Sequence, residues 1–311
     1  MMDIKTERPY FYTFNQYLKD SFPDKIYKIP IDAGFTCPNR DGSRGYGGCT
    51  YCDNISFSPG ARLGGIPIEE QIAKGIEYYR LKRKAKKFIV YFQAYSNTYA
   101  PVSHLKDLYD RALTFPEVIG ISIGTRPDCI DREKIELIRS YKDRDYYVLV
   151  EYGLESMKDS TLESINRKNT FQEFMDAVHL THEYGLDVCV HTILGLPGDT
   201  REDILDMAKL LAQLKVKACK IHHLYIAPNT VMEKQWREGN ILLMEAEEYI
   251  HLVCDFLELL PPDMVIHRFI GELYGEHCLA PRWGLMKAQV LDKICLEFEH
   301  RKTCQGSRYQ P

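Results

Sequence analysis

The sequence predicts an α/β fold, a partial (β/α)6 barrel followed by a C-terminal extension, and two observations carry that prediction. Short apolar runs rich in β-branched and aromatic residues recur at intervals too long for hairpins. Between them lie stretches whose apolar residues repeat at helical spacing. A nearly continuous apolar run is what a parallel strand covered on both faces requires. Strand alternating with helix then gives right-handed crossovers around one sheet.

The strand-like runs are 27–31 (YKIPI), 87–93 (KFIVYFQ), 118–123 (VIGISI), 146–153 (YYVLVEYG), 186–194 (LDVCVHTIL) and 218–226 (ACKIHHLYI). Ahead of the second run, Ile72, Ile76 and Tyr79 fall at i, i+4 and i+7. Residues 131–141 and 201–214 keep the same period, the latter behind Asp199 and Thr200 as its cap. Six units rather than eight mean an incomplete barrel, and in such a fold the loops at the C-terminal strand ends build the site. After residue 230 the alternation stops; 240–260 reads as one helix ending at Pro261-Pro262, and another is expected around 286–301. The expected division is therefore residues 1–230 for the barrel and 231–311 for an extension packed on it.

With 311 residues and 45% hydrophobic content the chain can fill a sizeable core. Its formal charge of -4 gives no global electrostatic case for nucleic acid, although a local basic face stays open. No charged-then-apolar leader opens the chain, and no apolar run approaches the roughly 20 residues that span a bilayer. The expectation is a cytoplasmic protein without membrane association, whose thiols stay reduced. Of ten cysteines, Cys129, Cys189, Cys219, Cys254, Cys278, Cys295 and Cys304 are scattered singly and read mostly as small buried apolar residues. The last three lack the tight spacing of a second cluster.

Cys37, Cys49 and Cys52 are different: they fall in a glycine-rich loop, 33–54, directly after the first strand, and the last two are spaced C-x-x-C. A closed zinc site needs four Cys or His ligands, and no fourth sits at finger-like spacing. An ordinary ferredoxin cluster also takes four thiolates. Three thiolates on a four-iron cluster leave one iron open to a ligand that is not protein. On the cysteines alone, a zinc module, an electron-transfer iron-sulfur protein and a cluster enzyme all stay open.

The segments IDAGFTCPNRDG…GGCTYCDN, FQAYSNTYAP, GTRPDC, EYGLES, HTILGLPGDT, KIHHLYI and the tail LAPRWG…HRKTCQG narrow this. Together they resemble the radical S-adenosylmethionine (SAM) superfamily, and more narrowly its YhcC/YtqA-type family, over nearly the whole chain. The usual spacing there is C-x3-C-x2-C, whereas eleven residues separate Cys37 from Cys49; long first spacings are similarly found in the Elp3 group of the Elongator system. The resemblance implies a partial TIM-type barrel in which Cys37, Cys49 and Cys52 ligate a [4Fe-4S] cluster that cleaves SAM to a 5'-deoxyadenosyl radical. Tyr51, just before the last cysteine, matches the aromatic beside the SAM adenine; its plainer reading is a ring packed under the loop. Gln93, Ala94, Tyr95 and Ser96 stand where a Gly-Gly-Glu-like motif meets the SAM amino group. Glu155 and Arg167 match polar SAM contacts, with the Arg167 fork suited to a carboxylate; the plainer reading is a surface ion pair. Ile193 and Gly195 match the motif that backs the adenine. His191 precedes them on the same strand and, taken alone, reads more simply as a satisfied core histidine.

On the substrate side, GTRPDC offers Thr125, Arg126 and Asp128 to the barrel mouth, while His222 and His223 must face opposite sides of a strand. Arg126, Asp128 and His222 are the substrate-side candidates. Residues 80–87 carry six positive charges, which with the basic tail can make a phosphate-binding patch if the fold joins them. Members of the resembled family have been connected with conversion of the carboxymethylaminomethyl side chain of the tRNA wobble uridine toward an aminomethyl one. The resemblance thus implies tRNA as substrate and an electron donor such as flavodoxin or ferredoxin. A small-metabolite radical SAM oxidoreductase is the alternative.

Overall fold

A computed structural model describes residues 10–311 apart from 59, 60, 62 and 272–274. Residues 1–9, part of the stretch read above for a leader, lie outside the described residues. One sheet of seven parallel strands runs in the order β1 to β7: Ile26–Ile31, Lys87–Phe92, Val118–Thr125, Tyr147–Glu155, Asp187–Leu194, Ala218–His223 and Val265–Arg268. The helices are α1 (Phe14–Ser21), α2 (Asn54–Phe57), α3 (Ile68–Arg83), α4 (Val102–Ala112), α5 (Arg132–Lys142), α6 (Asp159–Ser164), α7 (Phe171–Glu183), α8 (Arg201–Gln213), α9 (Val231–Arg237), α10 (Ala246–Leu259) and α11 (Lys287–Arg301).

The six expected strands are all present, and each crossover helix buries the stripe that its periodicity marks. Ile72 and Ile76 of α3, Leu105 and Tyr109 of α4, Ile135 and Ile138 of α5, Phe174 and Val178 of α7, and Met207 and Leu211 of α8 join one core with the outer faces of the strands. Their starts are specified locally. Thr200 accepts from Asp203 N while Asp203 caps back onto Thr200, and Thr170 and Glu173 do the same at α7. Thr200, not Asp199, is therefore the cap of α8.

Two boundaries differ from the sequence reading. A seventh strand, β7, lies inside the segment assigned to the extension and pairs with β6, so the sheet continues past residue 230. Only four residues long and half exposed at its end, it shows no period of its own. The helix read over 240–260 begins at Ala246, after an extended stretch in which Leu242 is 90% exposed.

The sheet curls into a half-barrel. Lys28 on β1 reaches Glu151 on β4 at 2.6 Å. Three strand spacings of about 4.8 Å would hold those strands roughly 14 Å apart in a flat sheet, too far for the contact. At the N-terminal strand ends, Phe14 and Tyr17 of α1, with Tyr12 and Tyr147, pack on Leu149, Cys189, Ala218 and Val265. This aromatic plug leaves the C-terminal strand ends as the working face.

Close packing between β3 and β4 depends on Gly120, where an added Cβ would lie 2.0 Å from the Tyr147 carbonyl oxygen. Gly120→Ala is expected to destabilise the chain by about 2 kcal/mol or more, read as a lower urea midpoint at unchanged slope; an unchanged midpoint contradicts this register.

Candidate functional site

The cysteine loop is held rather than loose. Gln71 clamps its start by accepting from Asp32 N at 2.9 Å and donating to Asp32 O at 2.8 Å. Farther on, Arg40 N donates to Cys37 O, Cys52 N to Cys49 O, and Thr50 N to Ile165 O. Gly47 and Gly48 both take left-handed backbone (φ 79° and 82°), which lets the loop turn back before Cys49. The three free thiols line one cavity, of about 1210 Å³ with its open mouth included.

N–H groups surround these sulfurs. Asn39 Nδ2 and Arg167 Nη1 lie 3.7 and 3.8 Å from Cys49 Sγ, and Asn54 Nδ2 lies 3.7 Å from Cys52 Sγ. Arg40 donates to the Cys52 carbonyl at 2.9 Å. Burial and the adjacent Cys49 push the Cys52 thiol up to about 12 against the pull of Arg40. Three convergent thiols with N–H donors aimed at them fit an iron-sulfur cluster, whose sulfurs are tuned by such bonds.

Above β4 the chain passes over Gly153, where an added Cβ would meet Arg167 Nη2 at 2.6 Å. Arg167 donates to Gly153 O at 2.9 Å and lies 3.7 Å from Glu155, and its buried Nε has no partner among the described residues. Burial raises the Glu155 carboxyl, with Arg167 opposing. Glu155 itself takes left-handed backbone at φ 64° beside a break in the β4–β5 register, which aims its side chain at the mouth. Neither residue is a surface pair: Arg167 is 7% exposed.

The cavity brings together most of the residues read from the sequence: Tyr51, Gln93, Tyr95, Ser96, Arg126, Glu155, Arg167, His191, Ile193 and His222 join the cysteines on its wall. Three of the sequence-marked features lie elsewhere. Gly195 is not on the wall; it turns the chain after β5 against Met244. Asp128 is also off the wall, holding Arg126 through two bonds of 2.8 and 3.0 Å while also pairing with Arg44. Arg126 in turn donates to the Arg167 carbonyl at 2.9 Å while remaining on the cavity wall. The basic run 80–87 ends α3 and enters β2, where Lys86 N bonds Lys25 O just before β1. That is the plugged end, opposite the cysteines, because a crossover helix runs antiparallel to its strands. Tail residues Arg301 and Arg308 pair with Asp255 and Glu258 instead of joining it.

The alternation expected for the histidine pair holds. His222 points inward, its ring 6.1 Å from His191, and His223 packs outward on Trp283 and Tyr249 while reaching the cavity edge. His191 is both satisfied and on the wall: its Nε2 lies 2.8 Å from Glu151. Burial, with Lys220 nearby, lowers His191 to about 4, so the neutral ring donates from Nε2 and keeps Nδ1 as an acceptor.

Sequence reasoning missed the cavity floor. Glu151, fully buried on β4, accepts from Lys28, Ser122, His191 and Lys220. Burial alone would raise this carboxyl, but Lys220 and Lys28 hold it well below the usual carboxylate range. Burial lowers Lys220 to about 8, partly offset by Glu151. Cys189 and His191 bring donor atoms within 4.8 Å of one another and of Glu151, but the two ammonium groups on that carboxylate make the cluster an ion network, not a cation seat. A charged residue inside an otherwise apolar strand was the available signal: Lys28, Glu151 and Lys220 each show it.

Comparisons with known proteins agree with this geometry. The Radical SAM superfamily model matches residues 37–211, and the Radical SAM C-terminal domain model matches 216–300. The protein YtqA of Bacillus subtilis (strain 168) is 37% identical, covering 98% of this chain and 94% of its own length. The tRNA uridine(34) acetyltransferase of Dehalococcoides mccartyi (strain CBDB1) is 23% identical over 73% of this chain and 56% of its own. Among solved structures, the archaeal Methanocaldococcus infernus Elp3 with an N-terminal deletion shares the fold at TM-score 0.72 and 15% identity. That match covers 91% of this chain, which spans 64% of the Elp3 chain, slightly under two thirds.

Four histidines, His223 buried and the other three half-buried, are held neutral. His191 is lowered to about 4 and His223 to about 3, both mainly by burial, and His222 and His267 lie well below the ordinary 6.5 for the same reason. Between about pH 6.5 and pH 4 the unfolded chain therefore binds more protons, and stability falls as pH falls. Each ring contributes roughly 1.4 kcal/mol per pH unit in that window. Urea unfolding at pH 6.5 and pH 5 should show a clear loss at the lower value; equal free energies contradict neutral burial.

Proposed function

Because the chain belongs to the radical SAM superfamily and, within it, to the YhcC/YtqA-type family, we propose that it acts on the wobble uridine of tRNA, converting a carboxymethylaminomethyl side chain toward an aminomethyl one. The chain is a radical SAM enzyme, and its family binds a [4Fe-4S] cluster and SAM. When bound, the cluster supplies one electron to SAM, giving methionine and a 5'-deoxyadenosyl radical that abstracts a substrate hydrogen.

This chain's residues do the holding and orienting. In this reading Cys37, Cys49 and Cys52 would be the three protein ligands of the cluster, leaving it open to SAM. Arg167, fixed through Gly153 and the Arg126–Asp128 pair, supports that carboxylate. Tyr51 and Ile193 flank the adenine, and Gln93, Tyr95, Ser96 and Glu155 meet the rest of SAM. The aromatic plug of α1 shields the floor from water, so substrate enters from the cysteine-bearing mouth.

The observation that carries the reading is that the three thiols and the cationic side chains of Lys220 and Arg268 line one cavity, open to a side chain inserted from a nucleoside. The tRNA uridine(34) acetyltransferase relative, similar over 73% of this chain, supports the substrate class. A cytoplasmic location and a flavodoxin or ferredoxin donor belong to the same reading; among the described residues no helix is long and apolar enough to cross a membrane.

Reconstituted protein, SAM, dithionite and tRNA carrying the carboxymethylaminomethyl uridine should yield the aminomethyl nucleoside by mass spectrometry, and Cys49→Ala should yield none. SAM cleavage with that tRNA left unchanged contradicts the substrate.

A further inference from the structure

The floor carries more positive charge than its carboxylate uses. Lys28 and Lys220 both pair with Glu151, whereas Arg268 of β7, also on the cavity wall, makes no hydrogen bond or ion pair with any described residue. Arg268 stands opposite Lys220 in the β6–β7 pairing, at a register break after Cys219. It acts electrostatically on Tyr91, His191, Lys220 and His222. Three cations face one carboxylate, and a guanidinium in a half-buried cavity without a partner is a costly arrangement unless a ligand completes it.

We propose that Arg268 forms a subsite for a carboxylate carried by the substrate, with the Lys220 and His222 side chains beside it on the cavity wall. Its planar fork offers parallel donors to a planar carboxylate. The floor lies at mid-strand on β4 and β6, where Glu151 and Lys220 line the same cavity as the cysteines. A backbone phosphate of a folded nucleic acid stays at the mouth; only the end of a slender substituent reaches this depth. The inference rests on the wobble-uridine reading in identifying that end as the carboxymethyl group.

The test separates the subsite from that reading. N-Methylglycine is the carboxymethylaminomethyl group cut from its base, and N-methylglycinamide is the same molecule without the charge. Anaerobic holoenzyme is labelled with phenylglyoxal, and the Arg268 peptide is followed by mass spectrometry. Arg268 should label readily, and N-methylglycine but not the amide should protect it. Protection by inorganic phosphate alone, or by neither anion, overturns the carboxylate subsite. In the tRNA assay, Arg268→Gln should raise KM about tenfold or more for the carboxyl-bearing tRNA, with Arg268→Lys recovering part of the loss and circular dichroism confirming the fold. Protection by N-methylglycine with no tRNA conversion by wild type leaves the subsite and removes the tRNA reading. Conversion by wild type, with Arg268 unprotected and Arg268→Gln at wild-type KM, removes the subsite and leaves the tRNA reading.

Discussion

A single buried carboxylate holds the inside of this half-barrel together. Glu151 sits on the central strand and takes donors from β1, β3, β5 and β6 at once. In water such pairs count for little, but here an uncompensated charge costs several kcal/mol, so both lysines and the carboxylate must be kept in place together. The network thereby fixes the curl of the sheet, and the curl gives the cavity its width. Apolar packing from α1 below and the crossover helices outside stabilises that shape without specifying what the interior contains.

The mouth is organised by a second chain of contacts. Asp128 holds Arg126, Arg126 holds the backbone of Arg167, and Arg167 spans Gly153 and the sulfur of Cys49. Loops after β1, β3 and β4 are thus tied to one another and to the cysteines.

Much of the fold was legible because six strands are predominantly apolar and their helices carry clear caps and stripes. β7 was not, because four residues at the sheet's edge are too few to show a period. The cysteine loop is marked by its spacing, and the strand-end motifs single out Glu155 and Arg167, which lie on the cavity wall. Gly195 and Asp128 lie off that wall, because a motif reports position along the chain, not which way a turn faces. The floor was overlooked for a different reason: Lys28, Glu151 and Lys220 come from three separate strands, and their pairing is visible only once the sheet has curled.

The central claim is that three cysteines and no fourth equip this cavity for SAM cleavage. The most direct measurement is release of 5'-deoxyadenosine under dithionite by anaerobically reconstituted wild type, beside the variant Cys37→Ala/Cys49→Ala/Cys52→Ala. Release by wild type and none by the variant is the predicted result. A wild type that carries a four-iron cluster yet leaves SAM intact would contradict the account and return the chain to electron transfer.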